Sequence, residues 1–450
     1  MEKKTHSSIF HWILVGSIAI GMALGGIAAL ERANAQSLNA MDRDRGHVML
    51  KVLKNEIKKN YFDAMFRGID LEARFKAADE KLDRATSLGQ VFGIVAQVLL
   101  EFEDSHLFFI PPQRSSTTDY GWQMQMVGDK CYVSAVKPGS DAEAKGLKPG
   151  DQVKAVDSYA PVRENLWKLK YLYYALRPQP AVRVVVQSPN GADRQLDVMA
   201  KVRQGKRRLD LTGSSSENDI WDLIREGENE DRLRRHRYYE MGDEALIWKM
   251  PQFDLDERGI DDLMAKAKKR KGLVLDLRGN PGGAEETLKY LLGYFVDADV
   301  KIGDIKRRKE TKELMVKARG GGFKGKLVVI IDGESGSSAE IFARMIQMEK
   351  AGTVIGDRSA GAVMRAKGYH FQLGADTVVF YGASITDADL IMTDGKSLER
   401  VGVTPDVMSL PTAADLAAKR DPVLARAAAL VGVKLDPEKA GTMFPVEWRK

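Results

Sequence analysis

The chain has 450 residues, 44% hydrophobic and 29% charged, which excludes a disordered tail or a repeat array and leaves enough length for two or three cores. The net charge is +6; without residues 1–35, where Lys3, Lys4 and Arg32 face Glu2 and Glu31, it is +5, a mild excess in mixed-sign runs. The basic runs Arg232–Arg237 and Lys266–Lys271 read as solvated faces, because no aromatic-interleaved nucleic-acid motif accompanies them. Cys131, alone in the chain, can make no internal disulfide and reads as buried filler. No Cys/His cluster has metal-ligand spacing, so neither a metal nor another cofactor is expected.

Two lysines, an apolar stretch from Ile9 to Leu30 and the small-x-small site Ala33-Asn34-Ala35 read as a signal peptide over 1–35. The stretch is also long enough to anchor in a bilayer if left uncleaved. Either way the rest is expected to be exported, to the periplasm or beyond. Residues 36–115 form a helical domain: Val48, Leu50, Leu53, Ile57, then Leu88, Val91, Ile94 and Val98 recur at helix-compatible spacing. Pro111 and Pro112 close it, and the Ser/Thr run at 115–118 reads as a linker.

A β-rich unit over 116–205 follows, with strands at 131–136, 152–156 and 181–187, a one-turn helix at 141–145, and an amphipathic helix at 163–176. The segment VSAVKPGSDAEAKGLKPGDQVKAVD resembles the core of a PDZ domain. That resemblance implies a groove that adds a peptide as an extra strand, with Gly121, Trp122, Gln123 and Met124 where the glycine-rich carboxylate loop belongs. The match of this loop is poor, which leaves its ligand preference open. A polar stretch over 214–237 reads as a surface excursion. From 238 the pattern alternates strands (245–250, 272–277, 326–331, 354–356) with helices (259–268, 284–295, 339–348), which predicts an α/β core over 206–420 with a largely parallel sheet. Residues 421–450 are expected to be a C-terminal tail.

Two turns in that core can carry chemistry. In VLDLRGNPGG the amides of Gly282 and Gly283 carry no side chains and can point at an anion or an oxyanion, although a Gly-Gly turn is most often only a turn. In DGESGSSAEIFA, Ser337 stands where a helix begins. Ser337 and Glu340 make the S-x-x-E capping box, yet the same position offers a hydroxyl on an exposed turn beside helix-terminal amides.

The order of segments decides between those readings. EDSH at 103–106, the PDZ-like unit, VLDLRGNPGG, GSSAEIFA, GDRSAGAV at 356–363 and LERVGVTPD at 398–406 together resemble the C-terminal processing and tricorn-type serine peptidase family, over about residues 45–430. The resemblance implies a crotonase-like core and hydrolysis of peptide bonds in peptides or unfolded proteins. It puts Ser337 at the nucleophile position, and it assigns the oxyanion hole to the amide of Ser338 with one from Gly282 or Gly283. Ala362 occupies the position of the general-base lysine of the processing branch, and Lys367 is the nearest lysine. The tricorn-type branch implies a Ser–His–Glu arrangement instead, with His106 as base and Glu399 as its carboxylate. His106 can equally be a structural residue of the helical domain, and Glu399 a turn carboxylate; His47, His236 and His370 have weaker claims, and Asp406 reads as structural. The competing class is a catalytically inactive PDZ-containing scaffold on the same fold.

Overall fold

The computed structural model describes residues 38–114, 116–189, 191–204, 233–374 and 378–448. The expected signal segment and most of the polar excursion lie outside these residues.

Three helices open the described chain: α1 (Ala40–Asn60), α2 (Leu71–Leu82) and α3 (Leu88–Leu100). Each starts at a side-chain cap, since Asn39, Asp70 and Ser87 accept from the amides of Asp42, Ala73 and Gln90. Their apolar stripes, including Leu53, Ile57, Phe75, Leu82, Val95 and Leu99, close one core. That core also contains Phe109 from β1 (Phe108–Ile110) and Tyr381, Ala383 and Ile385 from β17 (Val379–Met392). β1 pairs antiparallel with β17, so the helical unit is stitched to a strand far along the sequence.

In place of the expected linker, β2 (Ser116–Asp119) pairs antiparallel with β8 (Lys201–Gln204), making the ribbon that enters and leaves the next unit. Its sheet runs β3 (Trp122–Val127), β4 (Lys130–Val136), β5 (Gln152–Val156), β6 (Ala181–Gln187), β7 (Asp193–Met199), with β3 at an edge. The one-turn helix α4 (Asp141–Ala144) lies near β7. α5 (Leu166–Tyr171), continued by a π turn over Leu172–Leu176, is shorter than expected, and Arg163 falls before its first turn. Cys131 is buried in this core.

The last unit has two sheets. In order, the first is β18 (Val407–Met408), β15 (Thr353–Gly356), β14 (Lys326–Ile331), β11 (Gly272–Asp276), β10 (Ala245–Lys249) and β9 (Arg237–Met241), parallel except for β9. Side chains alternate across it. Leu246, Trp248, Leu273, Leu275, Val329 and Ile331 face α6 (Glu257–Lys268), α7 (Glu285–Leu292) and α8 (Ser338–Met348). Ala245, Ile247, Val274, Val328 and Ile330 face α10 (Pro422–Leu430) and α11 (Pro437–Met443). The stretch expected as a tail therefore supplies the second covering layer, joined to the sheet by α9 (Ala413–Ala417).

The second sheet, β1, β17, β12 (Val300–Arg307) and β13 (Thr311–Val316), with β16 (Met364–Leu373) on β17, is antiparallel. Ile302, Leu314, Val316 and Leu390 bring it onto the same core as α6–α8.

Candidate active site

Ser337 sits between the end of β14 and the first residue of α8. Its φ of 53° and ψ of −118° lie outside the regions comfortable for a residue with a side chain, a strain of about 1–3 kcal/mol that the surroundings must hold. They hold it from three sides. The Ser337 amide donates to the Ala362 carbonyl at 2.9 Å and to Glu340 Oε2 at 3.0 Å, and the Gly336 amide donates to Asn280 O at 2.9 Å. Ser335 Oγ donates to Leu277 O at 2.8 Å. The helix start is thus secured by a capping box, in which the Glu340 carboxylate accepts from the Ser337 amide and the Ser337 side chain faces the Glu340 amide, whose main hydrogen bond goes to the Ser337 carbonyl at 2.9 Å.

Beneath it runs the Asn280-Pro281-Gly282-Gly283 turn. A Cβ on Gly282 would stand 2.6 Å from Ser337 Cβ, and one on Gly283 would stand 2.2 Å from Phe253 O, so both close approaches require glycine. The Gly282 amide is engaged, donating to Asn280 Oδ1 at 2.8 Å. Gly282 therefore lacks a free donor for the oxyanion role the sequence offered it, and serves instead as the contact surface under Ser337. The amides of Gly283 and Ser338 donate to no acceptor among the described residues, and Ser338 Oγ donates to Gly283 O at 3.0 Å, tying the two together.

Glu340 is fully buried and accepts from four donors: Ser337 N, Ser359 Oγ (2.6 Å), Gly361 N (2.7 Å) and Ala362 N (2.8 Å). Burial pushes its pKa up to about 7, against the pull of those donors. Its role is to clamp the 359–362 loop to the elbow. Ala362 thus occupies the expected lysine position as a backbone partner of Ser337. Lys367 is exposed on β16, 3.7 Å from Asp387, and does not supply the missing amine.

The loop continues to Val363, whose amide donates to Glu399 Oε2 at 2.9 Å. Glu399 Oε1 accepts from Ser105 N at 2.9 Å, and Oε2 accepts from Ser105 Oγ at 2.8 Å. Ser105 Oγ lies 2.8 Å from His106 Nδ1. Since the single hydroxyl hydrogen goes to the carboxylate, Ser105 accepts from Nδ1–H, which leaves Nε2 as the basic nitrogen. The serine elbow, the 362–363 backbone, Glu399, Ser105 and His106 therefore form one continuous chain of contacts. Sequence reasoning puts Glu399 directly beside the imidazole; the structure inserts Ser105, for which a serine next to a histidine gives no separate signal.

His106 is held from below as well. Asp104, 1% exposed, accepts from the His106 amide (3.0 Å), Tyr61 Oη (2.9 Å) and Thr386 Oγ1 (2.7 Å), with Arg67 at 3.7 Å. Desolvation by burial lowers the His106 pKa, opposed by Asp104, and favours the neutral ring. Burial raises the pKa of Glu399, against the Ser105 and Val363 hydrogen bonds. The other histidines lie elsewhere: His47 on Asp79 (2.6 Å), His236 between Asp254 (2.9 Å) and Trp248 (3.2 Å), and His370 exposed on β16. Asp406 accepts from Val354 N and Gln347 Nε2, both at 2.8 Å, a structural tie between strand and helix.

Beside this centre, Trp122, Gln123 and Met124 line a cavity of about 830 Å³ between the edge strand β3 and α5 with its π turn, which carry Leu169 and then Tyr173 and Tyr174, with Gly121 in the loop before β3. Its wall reaches Glu334, two residues before Gly336, where Lys170 pairs with the Glu334 carboxylate. Arg163 joins the two units more firmly, donating to Arg358 O (2.9 Å), Gly128 O (2.6 Å) and Asp357 Oδ2 (2.9 Å) just upstream of the clamped loop.

Residues 246–409, which hold both turns and Glu399, match the family model of peptidase family S41. The chain is 23% identical over 357 residues to the tail-specific protease of Haemophilus influenzae, covering 75% of this chain and 48% of that protein. It is 26% identical over 292 residues to the carboxy-terminal processing protease CtpA of Bacillus subtilis, covering 64% and 55%. It thus spans about half the length of these curated relatives. The solved structure of mature CPAF complexed with lactacystin superposes with a TM-score of 0.63 at 14% identity, over 87% of this chain and 98% of that one, which is a likeness of fold. The matched segment and the relatives agree: over residues 246–409 the chain is similar to peptidase family S41.

Proposed function

We propose that this protein is a serine peptidase that cleaves peptides or loosely folded proteins through Ser337, His106 and Glu399, with Ser105 as the link between the last two. The carrying observation is the unbroken hydrogen-bonded path from Glu399 through Ser105 to His106 Nδ1, joined through the 362–363 backbone to a strained serine at a helix start. In the reaction Ser337 Oγ attacks the scissile carbonyl carbon and passes its proton to His106 Nε2. The carbonyl oxygen takes the negative charge, facing the amides of Ser338 and Gly283. As the C–N bond breaks, the imidazolium returns the proton to the leaving amine, and water then hydrolyses the acyl-serine by the same exchange. Ser105 and Glu399 hold the ring in the Nδ1–H tautomer and stabilise its positive charge.

The β3–α5 cavity is the substrate-recognition groove in this reading, and Arg163 and Lys170 are its mechanical links to the elbow. The N-terminal apolar stretch with Ala33-Asn34-Ala35 supports export. The test is labelling by a serine-directed fluorophosphonate: the wild type reacts, Ser337→Ala does not, and His106→Ala reacts at a strongly reduced rate. An unlabelled but folded wild type would overturn the hydrolase in favour of an inactive scaffold.

A further inference from the structure

The loop that opens the β3–α5 groove already holds a carboxylate. Asp119, the last residue of β2, accepts from the Gly121 amide at 2.9 Å and from Lys137 Nζ at 2.6 Å. Tyr120 crosses the same end of the groove: its hydroxyl accepts from Gln179 N at 2.9 Å, and its ring packs edge-on to Tyr173 and Tyr174. A free peptide C-terminus entering beside β3 would need that amide and that ammonium, and would meet the Asp119 charge instead. The rest of the groove asks for something else. Its walls are Trp122, Met124, Leu169, Tyr173, Tyr174 and Val182, and the charged residues on its lining are of both signs. Trp122 Nε1 is buried and has no hydrogen-bond partner among the described residues, a donor suited to a carbonyl of a bound chain.

We propose that the groove binds internal, extended, apolar segments of a polypeptide and not free C-termini, because Asp119 fills the carboxylate position of its own loop. This rests on the reading of the β3–α5 cavity as a peptide groove. It makes the protein a reader of exposed apolar chain, recruiting substrate by segments that any unfolded protein offers.

The experiment measures binding of one fluorescein-labelled apolar peptide, made as the C-terminal free acid and as the C-terminal amide, to the Ser337→Ala chain. Acid and amide are expected to bind within about twofold of each other. In Asp119→Ala the bared Gly121 amide should strengthen the acid about tenfold and leave the amide unchanged, the size of a charge-assisted hydrogen bond. A wild-type preference for the acid of about tenfold or more overturns the proposal. So does an Asp119→Ala chain whose acid-to-amide ratio stays at the wild-type value. The acid–amide comparison needs no change in the loop, so misfolding of the Asp119 variant leaves the test intact. If neither peptide binds, the groove reading itself fails, while fluorophosphonate labelling of Ser337 in the unaltered chain reports on the hydrolase separately.

Discussion

The Ser337 junction and the β3–α5 groove lie side by side yet are built on opposite terms. At the junction almost every polar atom is committed: Glu340 accepts from four donors, Glu399 from three hydrogen bonds and Asp104 from three. Among the described residues the amides of Gly283 and Ser338 are left over, next to the Ser337 hydroxyl at the helix start. In the groove the edge of β3 is unpaired and the Trp122 indole N–H is buried without a partner among the described residues. Chemistry needs groups fixed before substrate arrives, whereas recognition of varied chains needs groups that the ligand itself satisfies.

The sharpest way to break the comparison is to remove the proposed base. His106→Ala should lower kcat/KM on a peptide substrate by about 10⁴-fold, the scale on which a triad member acts. A fall of less than about tenfold would remove His106 from the mechanism. The pH profile tests the same residue. Because burial lowers the His106 pKa, the ring stays neutral, and able to accept a proton, to a lower pH than an ordinary imidazole. The acid limb of kcat/KM should therefore have its midpoint below the ordinary histidine value. A midpoint above that value contradicts the assignment.

Ser105→Ala comes next. It cuts the link between Glu399 and the ring while leaving both in place, and should cost about 10²-fold in kcat, with KM little changed. It should also lower the midpoint of the acid limb further, because the imidazolium loses its link to the carboxylate. A merely structural serine would leave that midpoint where it is.

The depth at which each of these residues could be read from the sequence follows from the range of the interactions that fix it. β14, an apolar run ending in turn residues, and the helix after Ser337 are local patterns, and both lie where periodicity and capping chemistry predict. β12, β13, β16 and β17 escape that reading. Their partly exposed, bulged strands carry a weak period-2 signal, and β17 takes its place from β1 and β12, far away in sequence. α10 and α11 do carry a local signal, an aspartate cap followed by proline at 421–422 and again at 436–437. Ser105 and Asp119 carry none, because a serine beside a histidine and an aspartate before Tyr-Gly are common in any loop. Only tertiary contact gives them a role.

Glu340→Gln tests how far the junction depends on its commitments. Each carboxylate oxygen accepts from two donors, so the glutamine NH2 must face two of the four and leave at least one unsatisfied. Thermal unfolding should report a loss of about 1–3 kcal/mol. Activity should fall with it, since the same change loosens the clamp on Ser337. Unchanged stability would mean that the loop finds other acceptors.

The smallest effect should come from the groove, and there stability and function should part company. Trp122→Phe deletes a buried N–H that nothing in the described residues satisfies, along with part of a ring. In the free protein the relief of an unsatisfied donor and the lost packing offset each other, so stability should move by less than about 1 kcal/mol. Peptide affinity should nevertheless drop about threefold, because the bound chain loses a hydrogen bond made only in the complex. At the junction a comparable deletion would strike stability and function together, since its hydrogen bonds exist before any ligand arrives. Equal affinities of the wild type and the Trp122→Phe variant, measured by the fluorescence of a bound peptide, would show that the indole N–H is idle and that the groove works by apolar contact alone.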